Sequence, residues 1–134
     1  MNVPRKFWFV LIGAVLAMVI IACSCGSLTP TSTVSPEPIP GLAGKWRDNT
    51  EKDVHTINWD GSKYVVVSTV NDTGGTYTVS KQSWDGSRLS WTYVVSSNNT
   101  TVDIWTVSVS GNNLDIGWSS SNGGSGTDTF TREP

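Results

Sequence analysis

From Leu42 to the end of the chain, apolar and polar residues alternate in short runs that are separated by clusters of Gly, Asn, Asp and Ser. The runs are rich in Val, Ile, Thr, Trp and Tyr, and none keeps the 3.6-residue period of an amphipathic helix. This pattern predicts an all-β domain of short antiparallel strands. We expect eight strands, at residues 42–47, 54–59, 63–70, 76–84, 88–95, 101–109, 113–119 and 126–132.

The connections between these strands are of two alternating kinds. Three are short turns, at Asp60-Gly61, at its repeat Asp85-Gly86 and at Gly111-Asn112. Asp-Gly supplies the positive φ angles that a tight hairpin requires. The other four connections are longer and polar, and they lie near residues 48–53, 71–75, 96–100 and 120–125. In an up-and-down meander, the tight turns and both termini of the domain would lie at one end, and the longer loops at the other.

A flat meander of eight strands would leave two exposed edges, which favour aggregation. Closure of the sheet into a barrel removes both edges. The sequence therefore predicts an eight-stranded antiparallel up-and-down barrel, with a β-sandwich as the alternative. An eight-stranded barrel has an interior just wide enough for its own side chains to fill.

The N-terminal residues have the order of a secretory leader. Arg5 and Lys6 precede a sixteen-residue uncharged run, residues 7–22, which ends in small residues beside Cys23. As a helix at ~1.5 Å per residue, this run would span about 24 Å, short of the roughly 30 Å hydrocarbon layer. A cleaved leader is therefore favoured over a transmembrane helix. The two basic residues favour a cytoplasmic N-terminus, so the domain is expected to be exported.

Ile20-Ile21-Ala22-Cys23 resembles the lipobox of bacterial lipoproteins. The resemblance implies that residues 1–22 are a helical signal peptide and that the mature chain begins at Cys23. It also implies a diacylglyceryl group on the Cys23 thiol and a further acyl chain, such as palmitate, on its amino group. The domain would then be held by membrane lipid on the extracytoplasmic side of the cell membrane or the outer membrane. An ordinary cleaved signal peptide and an uncleaved anchor are the alternatives.

Residues 23–41 are rich in Ser, Thr and Pro and nearly free of large apolar side chains. Such a segment buries too little surface to offset the entropy of ordering it, and its prolines favour extended polyproline II. The sequence therefore predicts a tether over residues 23–41 and a single β-domain over residues 42–134.

The two ends of this domain resemble those of the calycin superfamily, which contains the lipocalins, fatty-acid-binding proteins and avidins. Gly44-Lys45-Trp46 is similar to the Gly-x-Trp of the first calycin strand, and Arg132 stands where a basic residue of the last strand packs across that Trp. The resemblance implies a barrel base closed by Arg132 on the indole of Trp46, a cation–π contact. It also implies a ligand-binding interior, although nothing in the sequence reproduces the avidin residues that bind biotin.

Charge and composition exclude several classes of function. After the leader, seven basic residues stand against eleven acidic ones, a net charge of about −4, and no basic run occurs, so we expect no nucleic-acid partner. Both cysteines precede the domain and His55 is the one histidine, so catalytic triads and His/Cys metal sites lack their parts. We therefore expect no catalytic activity, no cofactor and no metal, and a packing or surface role for His55.

Aromatic and polar residues near the longer loops form the candidate binding site. Most of the domain's tryptophans are expected to pack in the core, but Trp118 approaches the loop end, as do Tyr77 and Tyr93. Polar side chains of the same region are Asp48, Asn71, Asp72 and Asn98. These residues predict binding of a small apolar or amphipathic molecule, or of a protein, at the loop end.

Two alternative functions remain at this point. Exposed Trp with Asn and Asp is typical of carbohydrate-binding faces, so a cell-wall or sugar-binding module is one alternative. The other is a lysozyme-type enzyme inhibitor, because the segment from Asp60 to Tyr64, Asp-Gly-Ser-Lys-Tyr, resembles the inhibitory loop of a group of small lipid-anchored barrels.

Overall fold

The computed structural model describes residues 35–95 and 97–134, and the predicted signal peptide, Cys23 and the first part of the predicted tether lie outside this range. Eight strands are present: β1 (Gly44–Asp48), β2 (Val54–Trp59), β3 (Tyr64–Val70), β4 (Thr76–Trp84), β5 (Leu89–Val95), β6 (Thr100–Ser110), β7 (Asn113–Ser120) and β8 (Ser125–Glu133). Each lies within two residues of its predicted bounds. None of the described residues forms a helix long and apolar enough to cross a membrane.

The strands form a closed antiparallel barrel. Each strand pairs with its neighbours in sequence, and β1 closes the sheet by pairing with β8, which sets Trp46 opposite Arg132. The predicted up-and-down barrel is therefore confirmed, and the sandwich alternative is wrong. Asp60-Gly61 precedes β3 and Asn71-Asp72 follows it, so the tight turns and the longer loops lie at opposite ends, as predicted.

Each Asp-Gly turn is stabilised by hydrogen bonds to the aspartate carboxylate as well as by the conformational freedom of the glycine. Asp60 Oδ1 accepts bonds from the backbone N–H groups of Ser62 and Lys63, both at 2.9 Å, and from the Ser62 hydroxyl at 2.8 Å. The second turn repeats these bonds among Asp85, Ser87 and Arg88. Positive φ occurs only at the glycine, which is +98° at both Gly61 and Gly86. The aspartate thus contributes hydrogen-bond acceptors and not, as we expected of the pair, a positive φ angle.

Each of the three tight hairpins contains one β-bulge. The register shifts near Val67 in β3, within residues 80–83 of β4 and near Val107 in β6, whereas the pairs joined by longer loops show no shift. A bulge bends its strand and increases the local twist. The bulge at Val67 also keeps inward-facing residues opposite each other on both of its sides. Ile57 pairs with Val66 on one side, and His55 pairs with Thr69 on the other. The three bulges therefore help this short sheet to curve and close.

Large side chains fill the barrel from the tight-turn end to its middle. The fully buried ones include Leu42, Trp46, Ile57, Tyr64, Leu89, Trp91, Leu114 and Phe130. Ile39 covers this end, where the Tyr64 hydroxyl accepts a bond from the Ile39 N–H at 3.1 Å and donates one to its carbonyl at 2.8 Å. The Trp59 indole N–H donates to the carbonyl of Ser35 at 2.6 Å. The last residues of the predicted tether therefore lie against the barrel and close its base.

Arg132 and Trp46 join the two ends of the domain. The guanidinium carbon lies 4.2 Å from the centre of the Trp46 ring, and the guanidinium donates to the carbonyls of Ala43, at 3.1 Å, and Gly41. Gly44 has a φ of +146°, and a Cβ there would collide with the guanidinium. This is the arrangement that the calycin resemblance implies, with Gly44 needed for the close approach of Arg132.

We expect Arg132→Ala to lower the free energy of unfolding by about 1–3 kcal/mol, because the cation–π contact is lost and two carbonyls lose their donor. Arg132→Lys should recover only part of this loss, since an ammonium cannot reproduce a planar, forked donor. Urea unfolding followed by tryptophan fluorescence measures the change. Arg88→Ala, at an exposed turn, is the control and should stay within about 0.5 kcal/mol of the parent. Equal stability of the Arg132→Ala and Arg88→Ala variants would contradict this role.

Candidate functional site

A cavity of about 500 Å³ occupies the loop end of the barrel. Its wall is largely apolar and is formed by Tyr77, Tyr93, Val95, Val102, Ile104, Ile116, Trp118 and Phe130. Its polar lining includes Asp48, Thr50, Glu51, Asp53, Asn98, Thr100, Ser120, Asn122 and Asp128. Small-molecule sites typically measure about 300–1,000 Å³ and combine an apolar wall with a few polar groups. The cavity thus has the size and the lining of a ligand pocket.

Five of the seven predicted ligand-binding residues line this cavity: Tyr77, Tyr93, Trp118, Asp48 and Asn98. Asn71 lines a smaller neighbouring pocket beside Tyr77, and its side-chain oxygen accepts bonds from the N–H groups of Thr73 and Gly75. Asp72 is exposed at the tip of the same loop and lines neither pocket. The 71–75 loop therefore flanks the cavity, and Asn71 holds the loop in shape.

The aromatic wall is built by packing between strands. Tyr77 of β4 and Tyr93 of β5 stack with their ring centres 5.2 Å apart and an interplanar angle of 26°. Trp118 of β7 is half-buried, and its ring covers Gly124 and Gly126, where an added Cβ would stand 3.3 Å from the indole. These two glycines leave room for the ring on the cavity wall. The indole and the two phenol rings therefore offer π faces and a polar N–H or O–H each.

His55 lies directly behind this wall and is completely buried. Its ring stacks on Phe130 at 4.9 Å, and its Nδ1 lies 3.0 Å from the hydroxyl of Thr69. Among the described residues, neither its Nε2 nor the buried indole nitrogen of Trp91 has a hydrogen-bond partner. Burial lowers the pKa of His55 to about 3, so the imidazole is neutral at neutral pH. His55 packs in the core and brings no positive charge to the cavity.

Two of the acidic residues on the lining have structural bonds. Asp48 Oδ1 accepts the backbone N–H groups of Thr50 at 2.6 Å and of Glu51 at 3.0 Å, which fixes the 49–53 loop. Asp128 accepts the Thr50 hydroxyl at 3.0 Å and the backbone N–H of Thr129 at 2.7 Å. Both carboxylates therefore accept hydrogen bonds from protein groups and help to hold the loop near Thr50.

Asp53 differs from them because it is only 4% exposed and faces other carboxylates. Burial, and after it the charges of Asp48, Glu51 and Asp72, together raise its pKa from 3.8 to about 6. The nearby Tyr93 hydroxyl, which favours the ionised form, offsets only part of this effect. Burial, and after it the charges of Asp53 and Glu51, also raise the pKa values of Tyr93 and Tyr77. Asp53 is thus ionised at neutral pH in surroundings that disfavour its charge.

Sequence reasoning missed Asp53, Val95, Val102 and Phe130. For Asp53, the signal was the alternation of buried positions along the strand. Asp53 lies two residues before the buried His55 and four before the buried Ile57, although it precedes β2. No group of three or more His, Cys, Asp or Glu that could hold a metal ion occurs within residues 35–95 and 97–134.

Tyr64 is the last residue of the segment that resembles an inhibitory loop. Its side chain is 2% exposed and is hydrogen-bonded to the backbone of Ile39, so it does not project from the Asp60-Gly61 turn.

Comparison of the chain with protein-family models, with curated proteins and with solved structures finds no match.

We expect Asp53→Asn to raise the free energy of unfolding by about 1–3 kcal/mol at pH 8. The folded-state pKa of Asp53 lies above its unfolded value, so its ionisation weakens the folded state as the pH rises above 3.8, and the full effect is present above about 6. The gain should therefore shrink as the pH falls through 6 and vanish below 3.8, where the carboxyl is neutral in both states. Urea unfolding of both chains at pH 3.5, 5 and 8 measures the difference, and the contribution of His55 cancels.

Asp115→Asn is the matched control. Asp115 accepts the hydroxyls of Ser108 and Thr129, which lower its pKa, so its ionised form favours folding. This substitution should lower stability at pH 8. If Asp53→Asn also lowered stability at pH 8, the claim that the charge of Asp53 destabilises the fold would be refuted.

Proposed function

We propose that this protein is a non-enzymatic binding protein that takes a small amphipathic ligand into the loop-end cavity of its barrel. The observation that carries the proposal is the uneven filling of the barrel interior. Leu42, Trp46 and Leu89 are fully buried at one end, whereas about 500 Å³ lies among side chains at the other. The wall would bury the apolar part of the ligand, and the acidic and amide side chains of the rim would bind its polar part.

The composition of the cavity wall supports this choice over a surface-binding module. Tyr93 is 5% exposed and Trp118 is half-buried, so their rings face the cavity and do not form a flat external platform. A fully buried aromatic or aliphatic group is stabilised by about 25 cal/mol per Å² of apolar area removed from water. A ligand that enters the cavity would gain more from such burial than one that lies across its rim.

The proposal includes no catalytic step. His55 is the one histidine of the chain, and it lies behind Phe130 and Tyr93 with its pKa lowered to about 3. General acid–base catalysis needs a group whose pKa lies near the working pH and that can reach the substrate. Asp53, with a pKa of about 6, lines the cavity, and we assign it to binding below.

We further propose that the domain is exported and held to a membrane by acyl chains on Cys23. The apolar run over residues 7–22 and the lipobox-like Ile20-Ile21-Ala22-Cys23 support this assignment. More than one acyl chain would make the attachment stable, since a single chain binds a bilayer only marginally. β1 begins and β8 ends at the tight-turn end, so the chain enters the barrel at the end opposite the cavity.

The cavity is tested by the same substitution placed inside and outside the barrel. Val102→Trp fills the cavity, whereas Val107→Trp adds the same ring to a position that is 61% exposed on the outer face. We expect millimolar 4-phenylbutanol to raise the unfolding temperature of the full-length chain and of Val107→Trp, because a ligand that binds the folded state stabilises it. The shift should be lost in Val102→Trp and at least halved in Trp118→Ala. Unchanged shifts in both of these variants would rule out the cavity.

Cell-wall glycans provide the test against the alternative of a carbohydrate module. Retention of the full-length chain on such glycans, without any stabilisation by 4-phenylbutanol, would favour that alternative.

The anchor is tested by intact mass measurement on protein extracted from membranes. We expect a chain that begins at Cys23 and carries a diacylglyceryl group and a further acyl chain. Cys25→Ala should give the corresponding product, whereas Cys23→Ala should remain uncleaved and unacylated. An unmodified Cys23 in the membrane-extracted protein would contradict the lipid anchor.

A further inference from the structure

The charges around the cavity are all of one sign. Four carboxylates, those of Asp48, Glu51, Asp53 and Asp128, contribute to its lining, and no lysine or arginine among the described residues does so. The nearest basic residues in sequence are engaged elsewhere. Arg47 forms the one ion pair of the described chain, with Glu133, and the ammonium of Lys52 donates to the carbonyl of Asn49. Within residues 35–95 and 97–134, the cavity therefore presents negative charge without a basic counter-ion.

Asp53 is the carboxylate that remains free to bind a ligand. Asp48 Oδ1 and both oxygens of Asp128 accept hydrogen bonds from the backbone or from hydroxyls, and Glu51 is exposed at the rim. Asp53 is only 4% exposed, lines the cavity and forms no ion pair with any residue that the structure describes. A buried charge is costly unless it is paired. A positive group on a ligand would supply this missing partner.

The aromatic wall suits the same kind of ligand. Cations bind over the faces of Trp, Tyr and Phe at about 6 Å or less from the ring centre. Tyr77 and Tyr93 form a stacked pair, Tyr93 lies beside Asp53, and Trp118 contributes a further ring to the wall. A carboxylate close to several π faces is a favourable environment for an alkylammonium group. It is unfavourable for a carboxylate or phosphate ligand.

We propose that the ligand of this cavity is an organic cation, a protonated or quaternary amine with an apolar body, whose charge pairs with Asp53 and lies against Tyr93 and Tyr77. This inference rests on the proposed binding function and specifies its ligand class. The volume of about 500 Å³ leaves room for an organic body beside the charged group. A bare metal ion would need a cluster of ligating side chains, and the described part of the chain has no group of three.

The binding should depend on pH through Asp53. The groups that face it are the carboxylates of Asp48, Glu51 and Asp72 and the hydroxyls of Tyr93 and Tyr77, and the pKa of Asp53 is about 6. A quaternary ammonium does not titrate, so its affinity should be constant above about pH 7. Below pH 6, protons compete with it for the carboxylate, and its affinity should fall by up to about tenfold per pH unit.

The test uses three probes of nearly the same shape: phenyltrimethylammonium, its uncharged isostere tert-butylbenzene and the anion benzenesulfonate. Their affinities for the full-length chain, in an uncharged maltoside detergent, are measured by ligand-observed NMR titration at pH 7.5. We expect the cation to bind at least about tenfold more tightly than the uncharged isostere, and the anion to bind most weakly. Calcium chloride at 1 mM should not displace the cation.

Asp53→Asn isolates the charge. It should weaken binding of phenyltrimethylammonium by about tenfold or more, abolish the pH dependence below pH 6 and leave tert-butylbenzene within about twofold. Asp115→Asn, on the outer face, should change none of the three affinities. A folding defect would weaken all three probes together, so the selective loss of the cation identifies the role of Asp53.

Equal binding of the three probes would overturn the cation inference and leave the cavity as the binding site. Displacement of the cation by calcium would also overturn it, in favour of a metal ion. If none of the three probes binds and 4-phenylbutanol gives no stabilisation, then both the cation inference and the proposed function fail.

Discussion

The pairing of β1 with β8 is the interaction on which the rest of this structure depends. It removes both edges of the sheet, and it brings together residues that are far apart in sequence at each end of the barrel. At the base, it sets Trp46 under Arg132, which also binds the chain segment that enters the barrel. At the mouth, it sets Asp48 opposite Phe130, so the loop-fixing carboxylate and the aromatic wall become neighbours. One pairing thus determines both the closed end and the open end.

The two ends use their side chains differently. At the base, the Tyr64 hydroxyl is paired with Ile39, and the buried indole N–H of Trp46 donates to the carbonyl of Leu42. At the mouth, Asp53 remains buried among acids, and its raised pKa reflects the cost of that charge. A polar group kept at a cost to stability is characteristic of functional sites, because selection on the fold alone would replace it. The neutral state of His55 behind the wall preserves this imbalance of charge.

Much of the candidate site followed from its position along the chain. Trp118, Tyr77 and Tyr93 lie toward the ends of strands that precede or follow the longer loops, so their placement at the mouth required only the strand order. Asp53 could not be recognised in this way, because nothing in its local sequence separates it from the other loop acids. Its surroundings include Tyr93 of β5 and Asp72 of the 71–75 loop, which are distant from it in sequence and come near it only in the folded barrel.

The sequence by itself determined the eight strands, their bounds within two residues and the alternation of tight and long connections, because each depends on neighbouring residues and on period-two patterning. Only the tertiary structure decided the register, since a single extra residue near Val67 or Val107 moves every following side chain to the other face. In the β5–β6 pair, Trp91 lies opposite Ile104 and faces the core, whereas Trp105 lies opposite Ser90 and covers Gly117 on the outer face. Whether the interior is filled or open depends on these registers together, which no local pattern contains.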